Sequence, residues 1–273
     1  MNPLVLTVLG LLLTASPLAV ARDWSVDAIA WEDGGIAGTS TLEHENVSRQ
    51  ALQLGYRWDR ADPSAYALRY KHQTLRIRQG NPAGNGYLHQ LDWRQQTEWQ
   101  QFQVELTLGV HGTSNMFKYT DFHRDALVAT GAIGYRFGSE GTSIGFAGDY
   151  RFGSFMLYPQ WRTAIALGQS SLQLNLPVAI ALQAADGDWQ LGFERYGEKW
   201  GTLNSDRQIA DKLYLHEWRL SGLYRLSLRQ GDLALVVGAG MSLHTRVHYL
   251  DLDAGTRRER LEDRLYVSLG LRW

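Results

Sequence analysis

Hydrophobic and polar residues alternate along most of this chain, and the pattern is simplest at its carboxyl end. From Arg264 to Trp273 the odd-numbered residues are all apolar: Leu265, Val267, Leu269, Leu271 and Trp273. The residues between them are Arg, Tyr, Ser, Gly and Arg. Because successive side chains of a β-strand point to opposite faces, this segment predicts a strand with one apolar and one polar face.

The same alternation recurs in twelve segments, and a helix would instead require recurrence every 3.6 residues. The segments are 47–58, 64–77, 86–96, 100–111, 124–137, 142–152, 155–167, 171–183, 188–197, 213–229, 232–247 and 259–273. Many approach the roughly 9–11 residues of a tilted membrane strand. Short Gly-, Asp- and Pro-containing stretches separate them, as turns require. The pattern predicts an all-β fold, a closed antiparallel transmembrane β-barrel of about 12 strands over 47–273.

Residues 22–46 leave the strand count open. They form an amino-terminal segment or an extra hairpin, Trp24–Trp31 with Ile36–Glu43, which would make 14 strands. With twelve strands and a periplasmic carboxyl terminus, loops 198–212 and 248–258 face outside, as long loops should. The longer stretches 78–85 and 112–123 then fall on the periplasmic side. Either these are unusual periplasmic loops, or a strand between 138 and 170 is miscounted.

The first 21 residues predict a secretory signal peptide. They contain no charged side chain, carry the apolar run Leu4–Leu13, and end in Ala19-Val20-Ala21. The small residues fit a cleavage site before Arg22. No later stretch approaches the roughly 20 apolar residues of a spanning helix. We therefore expect the mature protein in the outer membrane of a Gram-negative bacterium, after cleavage near Ala21.

Composition narrows the classes of partner. The chain has no Cys, so it has neither a disulfide framework nor a lipidated cysteine anchor. Its formal net charge of -1 argues against a nucleic-acid partner. The 8 His show no metal-ligand spacing, and Asp251–Gly255 lacks the remainder of a calcium loop. We expect no metal and no cofactor.

The polar faces of the predicted strands are rich in charge, which in a barrel would line the lumen. The expected lumen-lining residues are Arg57, Arg69, Lys71, Glu105, Arg136, Asp149, Arg151, Arg162, Glu194, Glu217, Arg219 and Arg246. In a narrow lumen these charges either neutralise one another as a filling or leave an ion-conducting path. The apolar faces carry aromatics such as Trp58, Trp93 and Trp218, as membrane interfaces do. A soluble sandwich would bury those rings against a second sheet.

One cluster suggests chemistry, the sequence from His111 to Ser114 and Asn115. A nearby histidine can turn a serine hydroxyl into a nucleophile. However, His111 and Ser114 are three residues apart, which in a continuous strand puts them on opposite faces. His111 also lies in the lumen register, and only a bulge at Gly112 would reunite the two. We therefore expect no enzymatic activity, with a serine lipid hydrolase as the weaker alternative.

These features together resemble bacterial outer-membrane β-barrels of the twelve-strand class. The terminal strand of Leu265, Val267, Leu269, Leu271 and Trp273 resembles the signal by which such barrels are recognised for assembly. With no secreted passenger expected before it, the chain is similar to solitary autotransporter-like barrels. The resemblance implies a non-enzymatic or structural protein whose partners are outer-membrane lipids, lipopolysaccharide and the barrel-assembly machinery. A narrow channel for small solutes stays an alternative. So does a lipid acyl hydrolase, similar to outer-membrane phospholipase A and lipid A deacylase, although His111 and Ser114 depart from their His-x-Ser arrangement.

Overall fold

The computed structural model describes residues 22–37, 47–59, 64–77, 86–137, 141–203, 210–229, 233–251 and 255–273. In chain order the described strands are β1 (Arg22–Trp31), β2 (Val47–Asp59), β3 (Ser64–Ile77), β4 (Tyr87–Trp99), β5 (Phe102–Thr113), β6 (Leu127–Phe137), β7 (Thr142–Asp149), β8 (Met156–Leu167), β9 (Ser170–Leu176), β10 (Ala179–Ala184), β11 (Trp189–Leu203), β12 (Ala210–Arg229), β13 (Leu233–Asp251), β14 (Gly255–Arg260) and β15 (Arg264–Arg272). Between β5 and β6 lie helix α1 (Ser114–Tyr119) and a 3-10 turn (Arg124–Ala126).

These strands form one closed antiparallel barrel. Strands β1 to β13 each pair with their neighbours in the chain, and β1 also pairs with β15, which closes the ring. Strands β14 and β15 both pair with β13 at different heights, so together they fill one position in the wall. The described residues thus give a wall of 14 positions, and the all-β barrel predicted from alternation is confirmed. The count is the higher of the two values expected from the sequence.

One of the two added strands was hidden inside the segment 171–183, which is a hairpin of β9 and β10. Pro177 and Val178 form the turn between them. Cross-strand partners such as Leu174 and Ile180 share a face. A two-residue turn preserves this parity, so apolar residues alternate through the hairpin without a break.

The other added strand is β1, which contains the expected Trp24–Trp31. Of the segment 22–46, the structure describes 22–37, which contain this one strand, and most of the second strand expected from the sequence, 38–43, lies outside the described residues. Beyond it, Ile36 forms an isolated bridge with Leu261. Glu43 and the expected signal peptide, 1–21, lie outside the described residues.

The connections distinguish the two ends of the barrel. At the end that holds Arg22 and Trp273, each connection between strands has four residues or fewer, and we call it the turn end. The longer connections lie at the opposite end, which we call the loop end. Dividing 171–183 into two strands reverses the direction that the twelve-strand count assigned to every earlier strand. The connections 78–85 and 112–123 therefore fall at the loop end. The connection 204–209 lies at the loop end as well. The conflict in loop sidedness that arose with twelve strands disappears.

Strand β11 leaves the wall halfway along its length. Its pairing with β10 stops at Glu194, whereas its pairing with β12 continues to Leu203. Beyond β10, Gly201 forms a parallel bridge to Gly112 of β5. At the loop end, a smaller ring therefore consists of β2–β5, β11–β14 and the bridging residues 34–37.

The outer surface of the barrel is apolar. Large exposed hydrophobic side chains point outward from most strands, including Leu54, Leu68, Leu91, Leu108, Ile133, Ile144, Phe146, Leu157, Leu191, Leu220, Leu265 and Val267. A chain of aromatic contacts runs along the outside towards the turn end, through Trp24, Tyr56, Trp58, Tyr66 and Trp93. Among the described helices, none is long and apolar enough to cross a membrane. Apolar residues outside and charges inside are the reverse of a soluble fold.

Candidate functional site

An apolar core fills the lumen at the loop end. Ten side chains, each at most 5% exposed, pack into one cluster: Ile36, Val47, Leu75, Leu88, Trp200, Leu213, Leu215, Val247, Tyr249 and Leu261. They come from β2, β3, β4, β11, β12 and β13 and from the two residues of the Ile36–Leu261 bridge. We call this cluster the apolar seal. Because its members come from around the smaller ring, it closes that ring from within.

A layer of buried charge lies next to the seal. On three strands, the inward residue next to a seal residue on the side of the turn end is charged. These residues are Arg49 next to Val47, Glu198 next to Trp200, and Glu217 next to Leu215. With Lys71 and Arg219, these form the charge layer, in which every residue is at most 7% exposed. Three cations and two carboxylates give it a formal charge of +1.

The charge layer is held by direct ion pairs. Arg49 Nη1 donates to both carboxylate oxygens of Glu217, at 2.9 and 3.0 Å, and its Nη2 donates to Glu198 at 3.1 Å. Arg219 Nε donates to Glu217 at 2.6 Å. Lys71 Nζ donates to Glu198 and also, at 3.0 Å, to Tyr196. Buried charges of this kind are tolerated because each has a partner of opposite sign.

Below the charge layer, the lumen contains a cavity of about 970 Å³ that reaches the turn end. Its lining carries seven arginines and six acidic residues: Arg57, Arg69, Arg94, Arg151, Arg162, Arg225, Arg272, Asp23, Asp92, Glu105, Asp149, Asp188 and Glu194. Several of them form ion pairs inside the lumen. Glu105 accepts from Arg162 at 2.6 and 3.0 Å, and Asp92 accepts from Arg69 at 2.6 and 3.0 Å. The cavity is polar and of mixed sign.

Most of the expected lumen-lining residues lie in these two regions. Arg57, Arg69, Glu105, Asp149, Arg151, Arg162 and Glu194 line the cavity. Lys71, Glu217 and Arg219 belong to the charge layer, and Arg136 pairs with Glu98. Arg151 lies in the turn after β7. Burial acts to lower the pKa of its guanidinium, but the hydrogen bonds and the charge of Asp149 outweigh burial, so the pKa is raised. Its charge is therefore retained next to Asp149.

Arg246 is a correction to the expected set, because it points outward and is exposed. Strand β13 has a bulge at His244, whose φ is 51°, and the register shifts between Leu243 and Arg246. One extra residue in a strand reverses which face every later side chain meets. Beyond the bulge, Val247 faces inward and joins the seal. The uninterrupted alternation up to Val247 gave no sign of this change.

His111 lies in the lumen, as its register predicts. Its Nε2 lies 2.6 Å from Asp92 Oδ1, and its Nδ1 lies 3.0 Å from the carbonyl oxygen of Lys199. Asn115 Nδ2 donates to the carbonyl oxygen of Leu203 at 3.2 Å. The contacts with the carbonyl oxygens of Lys199 and Leu203 hold β11 where it crosses to β5. In the described structure, neither His111 nor Asn115 bonds to Ser114.

Ser114 instead contacts a histidine that the sequence reasoning did not consider. Its Oγ lies 2.7 Å from Nε2 of His89, and Nδ1 of His89 lies 2.8 Å from the hydroxyl of Tyr70. The pairing follows from the two-residue connection Gln100–Gln101 between β4 and β5, which sets His89 opposite Gly112. That short turn was the signal available in the sequence, since a tight hairpin fixes the register of its strands.

Among the described residues, no group of three or more His, Cys, Asp or Glu is placed to hold a metal ion.

No family model matches the sequence, and no curated protein matches it. Among solved structures, the chain is similar to OpdK of Pseudomonas aeruginosa with vanillate, at 10% identity and a TM-score of 0.34, over 93% of this chain and 99% of that chain. It is also similar to a TodX mutant described as a monoaromatic hydrocarbon channel, at 7% identity and a TM-score of 0.39, over 92% and 89%. The β domain of the Bordetella autotransporter BrkA gives 12% identity and a TM-score of 0.26, over 93% and 98%. The resemblance is to the class of outer-membrane β-barrels alone.

Proposed function

We propose that the protein is an outer-membrane β-barrel that does not conduct solutes, with a cavity that opens at the turn end and is closed towards the loop end by the apolar seal. The apolar seal carries this proposal. Ions and polar solutes cross a barrel through a hydrated path, and the ten packed apolar side chains of the seal lie inside the smaller ring, where that path would run.

The outward face supports a membrane location. On β5 the outward side chains from Phe102 to Val110 are apolar throughout. Eight residue steps of about 3.3 Å span roughly 26 Å along the strand. At a tilt near 40° that corresponds to a height of about 20 Å, close to the roughly 25 Å apolar band of membrane barrels.

The connections support one orientation. Outer-membrane barrels have short periplasmic turns and longer extracellular loops. On that pattern the turn end faces the periplasm and the loop end faces outside. The seal then lies on the extracellular side, and the cavity is reached from the periplasm.

Single-channel recording in planar bilayers tests the proposal. The refolded wild type, checked by its altered gel mobility when unheated, should give no steady ion conductance. As a matched pair, Trp200→Ala removes a fully buried ring from the seal, whereas Trp161→Ala removes an outward ring that is 44% exposed. Conductance should appear only in the first variant. A wild-type barrel with regular open-channel steps would favour the narrow channel and refute the closed barrel.

A further inference from the structure

Three side chains from separate elements form a hydrogen-bonded series on the outside of the barrel. Ser114 begins α1, His89 belongs to β4, and Tyr70 belongs to β3. The serine oxygen lies 2.7 Å from His89 Nε2, and the tyrosine oxygen lies 2.8 Å from His89 Nδ1. When Nδ1 carries the proton it donates to Tyr70, and the lone pair on Nε2 accepts the hydroxyl proton of Ser114.

The series lies at the border of the apolar outer surface. Tyr70, Leu91, Val110 and Leu127 form an outward row of cross-strand neighbours. His89 is two residues nearer the loop end than Leu91, and Ser114 follows directly after β5. Leu91 and Leu127 are 43% and 59% exposed. A membrane that covers this apolar row would end close to the serine.

We propose that Ser114 and His89 are the nucleophile and general base of a hydrolase that cleaves acyl esters of membrane lipids, with Tyr70 as a positioning residue. This inference goes beyond the closed barrel proposed above, since the site is on the outer wall and is independent of the lumen. A hydroxyl within hydrogen-bond reach of a neutral imidazole, itself oriented by a third group, is the arrangement that nucleophilic catalysis requires.

The chemistry balances with water as the co-reactant. Ser114 Oγ attacks the ester carbonyl carbon and its proton passes to His89 Nε2. The ester C–O bond then breaks, and His89 returns the proton to the departing alcohol. Water, deprotonated by His89, next attacks the acyl-serine, the bond between Oγ and the acyl carbon breaks, and Ser114 regains its proton. The products are a fatty acid and the deacylated alcohol.

The surroundings favour a lipid over a soluble ester. The ring of Phe117 lies 5.3 Å from that of His89 and 5.2 Å from that of Phe122, which is 44% exposed. These rings extend the apolar surface beside the serine, where an acyl chain would lie. Lys118 and Arg124, both exposed, belong to the same stretch between β5 and β6. Cations at this height suit an anionic headgroup.

The barrel contains a matched pair that lacks the serine. Tyr214 and His248, on β12 and β13, also point outward near the loop end, and the tyrosine hydroxyl lies 2.7 Å from His248 Nδ1. Among the described residues, no serine hydroxyl bonds to His248. A change of His248 therefore serves as the control, since it removes the histidine of a Tyr–His pair on the same surface that has no described serine partner.

The test is hydrolysis of a fluorogenic phospholipid ester in mixed micelles, with p-nitrophenyl butyrate as the soluble comparison. Wild type should cleave the phospholipid, and Ser114→Ala and His89→Gln should each lower kcat at least about 100-fold. The controls Ser154→Ala, an exposed serine in a turn, and His248→Gln should stay within about twofold. Tyr70→Phe should lower kcat about tenfold at unchanged KM and shift the pH profile of kcat, because His89 loses its orienting partner.

A second measurement does not depend on knowing the substrate. Because the chain has no Cys, Ser114→Cys introduces a single thiol. A thiol beside a histidine base ionises at lower pH and reacts faster with iodoacetamide at pH 6 than an isolated thiol. We expect Ser114→Cys to react at least tenfold faster than Ser154→Cys, and the advantage to vanish when His89→Gln is added.

Each outcome is decisive for folded protein, checked by unheated gel mobility. Equal thiol rates would overturn the dyad and leave a structural hydrogen bond. A faster thiol without Ser114-dependent cleavage of either ester would overturn the hydrolase. Cleavage of the soluble ester alone would overturn the lipid as substrate. Because the closed barrel is tested by conductance, either proposal can fail without the other.

Discussion

Removing one carboxylate from the charge layer should destabilise the barrel strongly. Glu217 is 1% exposed and accepts hydrogen bonds from Arg49, Arg219 and Thr245, the last at 3.0 Å. Glu217→Gln keeps the shape of the side chain but removes its charge. The formal charge of the layer rises from +1 to +2, with two guanidinium groups left facing a neutral amide.

The expected loss follows from the burial of these groups. Breaking a buried ion pair by removing one partner costs about 3–5 kcal/mol, because the remaining charge is desolvated without compensation. A double variant, Glu217→Gln with Arg219→Met, should recover about 1–3 kcal/mol relative to the sum of the single changes, since the two side chains are in contact.

Urea unfolding of the barrel in lipid vesicles, followed by tryptophan fluorescence, measures this free energy. Glu98→Gln is the control, because the side chain of Glu98, which pairs with Arg136, is 47% exposed. It should change the free energy of unfolding by less than about 0.5 kcal/mol. A loss of that small size for Glu217→Gln as well would show that water screens the layer, and the reasoning would be refuted.

Two further changes test the register and the crossing strand. Leu106→Arg, at an outward position, should lower the free energy of unfolding by about 2–4 kcal/mol. The inward Glu105→Gln should act only through its lumen partners Arg162, Arg94 and Gln96. Equal tolerance of the two changes in urea unfolding would contradict the register. Gly201→Ala should cost about 1–3 kcal/mol, because its Cβ would lie 2.8 Å from the backbone nitrogen of Ala126. Gly222→Ala, whose Cβ meets ordinary contacts, should be tolerated in the same assay.

Alternation was enough to predict the barrel because period two is set by the backbone and survives any choice of loops. Leu106 and Glu105 fall on the predicted faces for that reason alone. Structural features that preserve the period of two cannot be predicted from the alternation. The turn at Pro177 leaves the apolar pattern intact, although a proline, which cannot donate to a strand ladder, marked the place.

The site was harder to predict because it depends on contacts between strands. The bulge at His244 moves Arg246 outward without leaving a mark in the pattern. The expectation of no catalysis rested on pairing Ser114 with His111, its neighbour in sequence. The structure pairs Ser114 with His89, which is 25 residues away in the chain. The two residues meet because β4 and β5 form a hairpin, not because they are close in sequence. The objection that His111 and Ser114 lie on opposite faces therefore does not apply to His89, and the assays above test for activity.

The unequal heights of the wall have a consequence for the surrounding lipid. Strand β12 has 20 residues, whereas β9 and β10 have 7 and 6. Seven residues at about 3.3 Å, tilted near 40°, rise only about 18 Å, short of the roughly 25 Å of hydrocarbon that a membrane barrel usually meets. In a bilayer, the acyl chains beside this hairpin must compress or splay to avoid exposure. The barrel therefore imposes a thin, disordered sector on one side of its lipid annulus.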